Sequence, residues 1–215
     1  MSRSVSSVTS RAALVDVFGT VLTVDLEHCA RSLVASCGLG VEDLLTVLLP
    51  RAGDLMTGRL APLHLFEAVL AGAGRDVAQA SGLVVRDAAL LVEHAVVHHD
   101  TVPFLTALRQ RGVRTALVSN CAPNARTLLE ATGLDDLVDA VVLSCEVGSA
   151  KPDAGIYRAA LTALDVPAGD ALLVDDQAGY CEGAREVGID AVRITRGQPP
   201  RPGEVASLLE VLDLF

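Results

Sequence analysis

The chain of 215 residues predicts an α/β domain: a doubly wound parallel sheet with an α-helical insert after its first strand. Three observations lead there. Short apolar runs of strand length alternate with helical stretches of about ten to fifteen residues, the pattern of β-α-β units and a parallel sheet. The stretch 25–100 breaks this alternation, with apolar residues at helical spacing and little that reads as strand. Finally, 51% of the chain is apolar and only 20% charged, enough for a real core built from Ala, Val and Leu.

The elements follow in order. Ala12–Val17 is a mostly apolar run that leads into a Gly-Thr turn. Within the insert, Leu44, Leu45 and Leu48, then Leu63, Phe66, Val69 and Leu70, recur at helical spacing, punctuated by Gly53, Gly58 and Gly72–Gly74. Arg109–Gly112 closes a helix, and Thr115–Val118 reads as a strand stopping at Ser119-Asn120. Ala122–Thr132 is helical up to Gly133, Ala140–Leu143 is a strand, and Ala154–Leu164 a helix. Ala171–Val174 reads as a buried strand ending at Asp175-Asp176, and Glu182–Val187 as a helix stopped by Gly188. Ala191–Ile194 is the last strand, with a short closing helix at Ser207–Leu212. Residues 1–24 and 101–215 therefore form the core, and 25–100 the insert between its first two strands.

Charge and composition exclude several functions. With 27 acidic residues against 17 basic ones, the net charge of −10 is wrong for gripping a nucleic-acid backbone or an anionic membrane. The N-terminal MSRSVSSVTSR has no apolar h-region, and uncharged runs stop well short of a membrane span. Cys29, Cys37, Cys121, Cys145 and Cys181 are odd in number and form no C-x-x-C pair. They read as buried free thiols of a cytoplasmic protein. Sixteen Arg accompany a single Lys, Lys151, which draws attention to a position needing a compact point charge. Oligomeric state has no sequence signal.

Four polar clusters sit at or just after strands: Asp16-Val-Phe-Gly-Thr-Val-Leu, Ser119-Asn120, Lys151-Pro152 and Asp175-Asp176. Each alone is ordinary turn or cap chemistry. All four near strand ends, where open α/β sheets bind ligands, point to one site. Asp16, Asp175 and Asp176 together are electrostatically costly unless a hard cation such as Mg²⁺ joins them. Ser119, backbone amides and Lys151 would supply donors and positive charge for a phosphoryl group, and one carboxylate could attack in line. A water-exposed triple-acid cluster has no evident purpose without the cation.

The order D-x-F-G-T-V-L, S-N, K-P-D and V-D-D-x-x-x-Y-x-x-G-A resembles the haloacid dehalogenase superfamily across essentially the whole chain. The resemblance implies a Rossmann-like core with a helical cap inserted after the first motif. It implies Asp16 as nucleophile, Ser119 at the phosphoryl oxygens with Asn120 as a further residue of the catalytic set, and Lys151 holding nucleophile and phosphate together. The metal ligands it implies are Asp16, the backbone carbonyl of Phe18, and the pair Asp175 and Asp176, with Asp176 as the direct ligand. The expected activity is a Mg²⁺-dependent phosphatase acting on a small phosphorylated metabolite through an aspartyl-phosphate.

One position departs from the phosphatase pattern. Where those relatives usually carry a second Asp as general acid and base, this chain has Phe18, which resembles the dehalogenase branch instead. The alternatives are accordingly a 2-haloacid dehalogenase-like hydrolase or a phosphate-binding relative without turnover. A phosphatase with Phe18 is expected either to need good leaving groups or to borrow an acid from the cap. His94 and His98, spaced i, i+4 on a helix beside His99, read as a solvated face, not a metal site. Arg51, Arg59 and His28 are insert residues that could face the cleft, though Arg59 in its Gly-Arg-Leu turn reads as structural.

Overall fold

The protein is described by a computed structural model covering residues 12–215. The N-terminal segment read as lacking an h-region therefore lies outside the described residues. The chain opens with strands β1 (Ala12–Val15) and β2 (Leu22–Val24). Helices α1 (Leu26–Ala35), α2 (Val41–Leu48), α3 (Ala52–Met56), α4 (Pro62–Gly72) and α5 (Ala80–His94) follow, then β3 (Ala95–Val97). The remainder alternates: α6 (Thr101–Gln110), β4 (Arg114–Ser119), α7 (Asn124–Thr132), β5 (Ala140–Leu143), α8 (Ser144–Val147), α9 (Ala154–Leu164) and β6 (Ala171–Asp175). It closes with α10 (Ala178–Glu186), β7 (Asp190–Ile194), β8 (Glu204–Val205) and α11 (Leu208–Val211).

Among the described residues the main sheet has six strands in the order β5-β4-β1-β6-β7-β8, and every pairing in it is parallel. Renumbered within the sheet, that is the doubly wound 3-2-1-4-5-6 order, whose switch point lies between β1 and β6. All four residues of β1 are fully buried. Ala13 and Val15 pack into the core on one face, and Ala12 and Leu14 into the core on the other. The two-residue side-chain period and a strand covered on both sides explain why this run reads as continuously apolar. Gly133 ends α7 in the left-handed conformation (φ 67°), as its place after the helical pattern predicts.

Helices α1, α2, α4 and α5 enclose a core of their own around Leu33, Leu44, Phe66, Leu70, Leu83 and Leu90. This is the helical insert, but it is entered and left through a ribbon the sequence does not reveal. β2 and β3 pair antiparallel, Leu22 with Val97 and Val24 with Ala95. Each strand is three residues long, too short for a two-residue period to show. The ribbon also corrects the histidine reading. Helix α5 stops at His94, where Ala95 turns extended (φ −73°, ψ 132°) and the β-branched Val96 and Val97 continue as strand, so His94 and His98 share no helix.

A buried ion pair ties the ribbon's exit to the C-terminal segment. Asp100 accepts from Arg196 Nη1 and Nη2 (3.2 and 3.0 Å), from Ser207 Oγ (2.8 Å) and from the Leu208 amide (2.8 Å). Burial disfavours the Asp100 charge, but Arg196 and these donors outweigh it and hold the carboxyl below its ordinary range. A depressed carboxyl contributes stability that is complete above its unfolded value, about 3.9, and is lost as pH falls through the folded value. Asp100→Asn should therefore cost about 2–3 kcal/mol at pH 7. In urea unfolding the gap to wild type should narrow below about pH 4; a gap that stays constant down to pH 2.5 would contradict this.

Candidate active site

Parallel register brings the acidic residues together. Val15 lies opposite Val174, and the Asp16 amide donates to the Val174 carbonyl at 2.9 Å, so Asp16 and Asp175 leave adjacent strands side by side. On β1's other side β4 ends at Ser119. Asp16, Asp175 and Asp176 each offer an oxygen within 4.8 Å of the others. The cluster is not the water-exposed one that the sequence suggested. Asp16 is 5% exposed and Asp175 not at all; only Asp176 is half-buried.

Lys151 is fully buried between two of these carboxylates. Its Nζ donates to Asp16 Oδ1 and to Asp175 Oδ2, both at 2.6 Å, and lies 5.0 Å from the centre of the Tyr180 ring. Burial alone would pull the ammonium's pKa down, but the two carboxylates outweigh it and hold it above the ordinary lysine value. Asp175 is pushed up to about 7, first by burial and then by the Asp16 charge, against the pull of Lys151. Asp176 is raised for the same two reasons, burial first. One ammonium does not balance three carboxylates.

Two buried polar atoms here have no partner, Asp16 Oδ2 and Ser119 Oγ. Unpartnered buried oxygens are costly, and a pair of them at one site marks where something else binds. The donor set is all oxygen, as Mg²⁺ prefers, and a cation would complete the charge balance. The residues fit that ion.

Asn120 acts on the backbone of Lys151. Its Nδ2 donates to the Lys151 carbonyl (2.8 Å) and its Oδ1 accepts from the Lys151 amide (2.7 Å), so both ends of its amide position the lysine. Asn120→Asp swaps the donor for an anion facing a carbonyl, and should cost about 2 kcal/mol in thermal or urea unfolding. Lys151 is also located by helix α10: a Cβ on Gly183 would lie 2.6 Å from the Pro152 carbonyl oxygen. The turn after β1 likewise depends on glycine. Gly19 has φ 85°, and a Cβ there would meet Asp176 Oδ2 at 2.7 Å.

The sequence reading missed several contributors. Gln177 steadies the acidic pair, its amide donating to Asp175 Oδ1 and its Nε2 to Asp176 Oδ2, both at 2.8 Å. Its place directly after Asp175-Asp176 was the available signal. Ser144 Oγ donates to the Met56 carbonyl (2.6 Å) and accepts from the Cys121 amide (3.0 Å), fastening the insert onto the core. Between insert and core lies a cavity of about 440 Å³ that reaches Phe18 and Asn120. Arg51, Arg59 and His28 do not line it. Arg51 bonds the Val47 carbonyl, Arg59 pairs with Asp54, and the His28 ring meets His94 edge-on at 4.6 Å. The insert does bring one carboxyl to the cavity, Asp87, which accepts from Asn124 Nδ2 at 2.6 Å. Burial pushes Asp87 up to about 6, against that hydrogen bond. Among the described residues the five cysteines are free, three buried and two half-buried.

The family model described as haloacid dehalogenase-like hydrolase matches residues 11–188. A phosphatase of Mycobacterium tuberculosis is 38% identical over 119 residues, 53% of this chain and 55% of that protein. The phosphoserine phosphatase of Thermus thermophilus is 38% identical over 113 residues, 52% of this chain and 45% of that one. These two matches thus span about half of each relative's length. The phosphoglycolate phosphatase of Rhodospirillum rubrum is 33% identical over 184 residues, 81% of this chain and 76% of that enzyme. Among solved structures, a haloacid dehalogenase-type phosphatase of Thermococcus onnurineus superposes with a TM-score of 0.72 at 26% identity, covering 95% of this chain and 97% of that one.

Proposed function

The chain belongs to the haloacid dehalogenase-like hydrolases, and we propose that it is a Mg²⁺-dependent phosphatase acting on a small phosphate monoester. One observation carries this reading: Asp16 is fixed through Oδ1 by Lys151 while its buried Oδ2 is left without a partner, as is the buried hydroxyl of Ser119 at the end of the adjacent strand β4. A carboxylate so held is a nucleophile with a single free oxygen.

In this reading Asp16 Oδ2 attacks phosphorus in line, the new O–P bond forms as the bond from phosphorus to the ester oxygen breaks, and the departing oxygen takes its proton from solvent water. Ser119 Oγ donates to a phosphoryl oxygen, and Lys151 stabilises the charge spread between nucleophile and phosphoryl group. Water then attacks the phosphorus of the aspartyl-phosphate, releasing inorganic phosphate and restoring the Asp16 carboxylate. Bound by Asp16, Asp175, Asp176 and the Phe18 carbonyl, Mg²⁺ would supply charge neutralisation for the transferring phosphoryl group. Phe18 can neither give a proton to the leaving oxygen nor take one from the water, a function generally worth about 10²–10⁴ in rate.

A 2-haloacid dehalogenase is the reading Phe18 favours. It lacks a partner for its substrate: a 2-haloacid carries a carboxylate, and the cavity is lined by no Arg, Lys or His. The deciding assay measures phosphate release from acetyl phosphate and a panel of phosphorylated metabolites, with Mg²⁺ and with EDTA, alongside halide release from 2-chloropropionate. Phosphate release that stops in EDTA supports the phosphatase. Halide release indifferent to EDTA, with every phosphate inert, replaces it by the dehalogenase.

A further inference from the structure

The cavity between the insert and the core is apolar almost throughout. Its walls include Leu44, Phe66 and Leu91, each buried. Its lining also includes Leu26, Leu49 and Met56, large apolar side chains that are 57%, 68% and 39% exposed. Such side chains left in water at the edge of a cavity are what an apolar ligand covers. The polar side chains of the lining are few: the amides of Asn120 and Asn124, the thiols of Cys29 and Cys121, and the Asp87 carboxyl. Asn120 is already spent on the Lys151 backbone, and Asn124 donates to Asp87. Ionised or protonated, Asp87 offers no positive charge, and no lysine, arginine or histidine stands beside it in the lining.

The lining includes Phe18, two residues after Asp16, and Asn120, next to Ser119 and bonded to the Lys151 backbone, so a group esterified to a phosphate at Asp16 would extend into it. We propose that the substrate is a phosphate monoester with an apolar, carboxylate-free leaving group, seated in this cavity against Leu44, Phe66 and Leu91. This deepens the phosphatase reading and rests on it. A carboxylate on the leaving group, such as that of phosphoglycolate or phosphoserine, would lose its water among leucines and face Asp87 with no counter-charge. An aryl or branched alkyl group instead gains about 25 cal/mol for each Å² of apolar surface it buries. About 440 Å³ suits a leaving group the size of one or two small rings.

The test compares two esters of primary alcohols, benzyl phosphate and phosphoglycolate, on the full chain with Mg²⁺. The expected kcat/KM is at least about tenfold higher for benzyl phosphate, equivalent to about 1.4 kcal/mol. Leu49→Arg puts a cation at the mouth, on a side chain exposed enough to be replaced without disturbing the fold, and should narrow or reverse the ratio. Asp87→Asn should also narrow it, by removing the anion. Equal values, or a preference for phosphoglycolate in the wild type, overturn the proposal.

The phosphatase reading fails separately, if neither acetyl phosphate nor any ester of the metabolite panel is hydrolysed. The cavity is then still decided by calorimetry with benzylphosphonate and phosphonoacetate. Tighter binding of benzylphosphonate upholds the apolar cavity; equal or tighter binding of phosphonoacetate overturns it.

Discussion

Asp16→Asn should abolish turnover while leaving the protein as stable as the wild type or more so. Asparagine keeps an oxygen to accept from Lys151 Nζ, so the 2.6 Å contact that orients the side chain survives. What is lost is the anionic oxygen that attacks phosphorus in the proposed mechanism, and an amide cannot replace it. Removing a nucleophile that works as part of a unit lowers kcat by about 10⁴-fold or more, leaving only what binding and charge stabilisation supply. The stability expectation comes from charge crowding: three carboxylates share one ammonium, so neutralising one relieves repulsion. Steady-state kinetics on acetyl phosphate and a thermal melt without Mg²⁺ check both halves. Retention of more than a tenth of wild-type kcat removes Asp16 as nucleophile. A melting point several degrees lower shows that Asp16 holds the fold together, and the crowding account fails.

The parts of this architecture legible in the sequence are those governed by local rules. β1, β4 and β6 read clearly as strands because both of their faces are covered and each carries a continuous apolar run, residues 12–15, 116–118 and 171–174. The acidic, Ser-Asn and Lys-Pro clusters stand out because the strand pattern breaks there. Register then does what no local signal shows, setting Val15 against Val174 and so Asp16 beside Asp175. The features that stayed hidden are pairings between distant positions or elements too short to carry a period. Asp87 meets Asn124 across 37 positions and Asp100 meets Arg196 across 96, and no spacing rule connects them. The β2–β3 ribbon has three residues a side and a half-exposed surface, so its alternation is lost among the helices around it. Asn120 was visible as a site residue, but its hold on the backbone of Lys151 was not. That contact is set by where two loops meet.

Lys151 is where stability and chemistry coincide, so its replacement should cost both. Lys151→Met keeps most of the side-chain volume and removes the charge, leaving Asp16 and Asp175 buried without their shared donor. Breaking a buried ion pair from one side costs about 3–5 kcal/mol, since the remaining charges stay desolvated. The same change takes away the cation between nucleophile and phosphoryl group, a loss of about 10²–10³ in kcat. Lys151→Arg does not restore either quantity. The guanidinium is a planar fork with five donors, whereas this ammonium sits on a side chain with no exposed surface, bonded to two carboxylates. A second substitution separates the two roles. Adding Asp175→Asn to Lys151→Met removes one stranded carboxylate, so urea unfolding should recover about half of the lost stability. Turnover on acetyl phosphate should not recover and should fall below the single variant, because no cation has returned and Asp175 is one of the carboxylates that would hold Mg²⁺. If Lys151→Met unfolds at the wild-type urea concentration and turns over within tenfold of wild type, the lysine is neither the keystone of the acidic cluster nor a phosphoryl ligand.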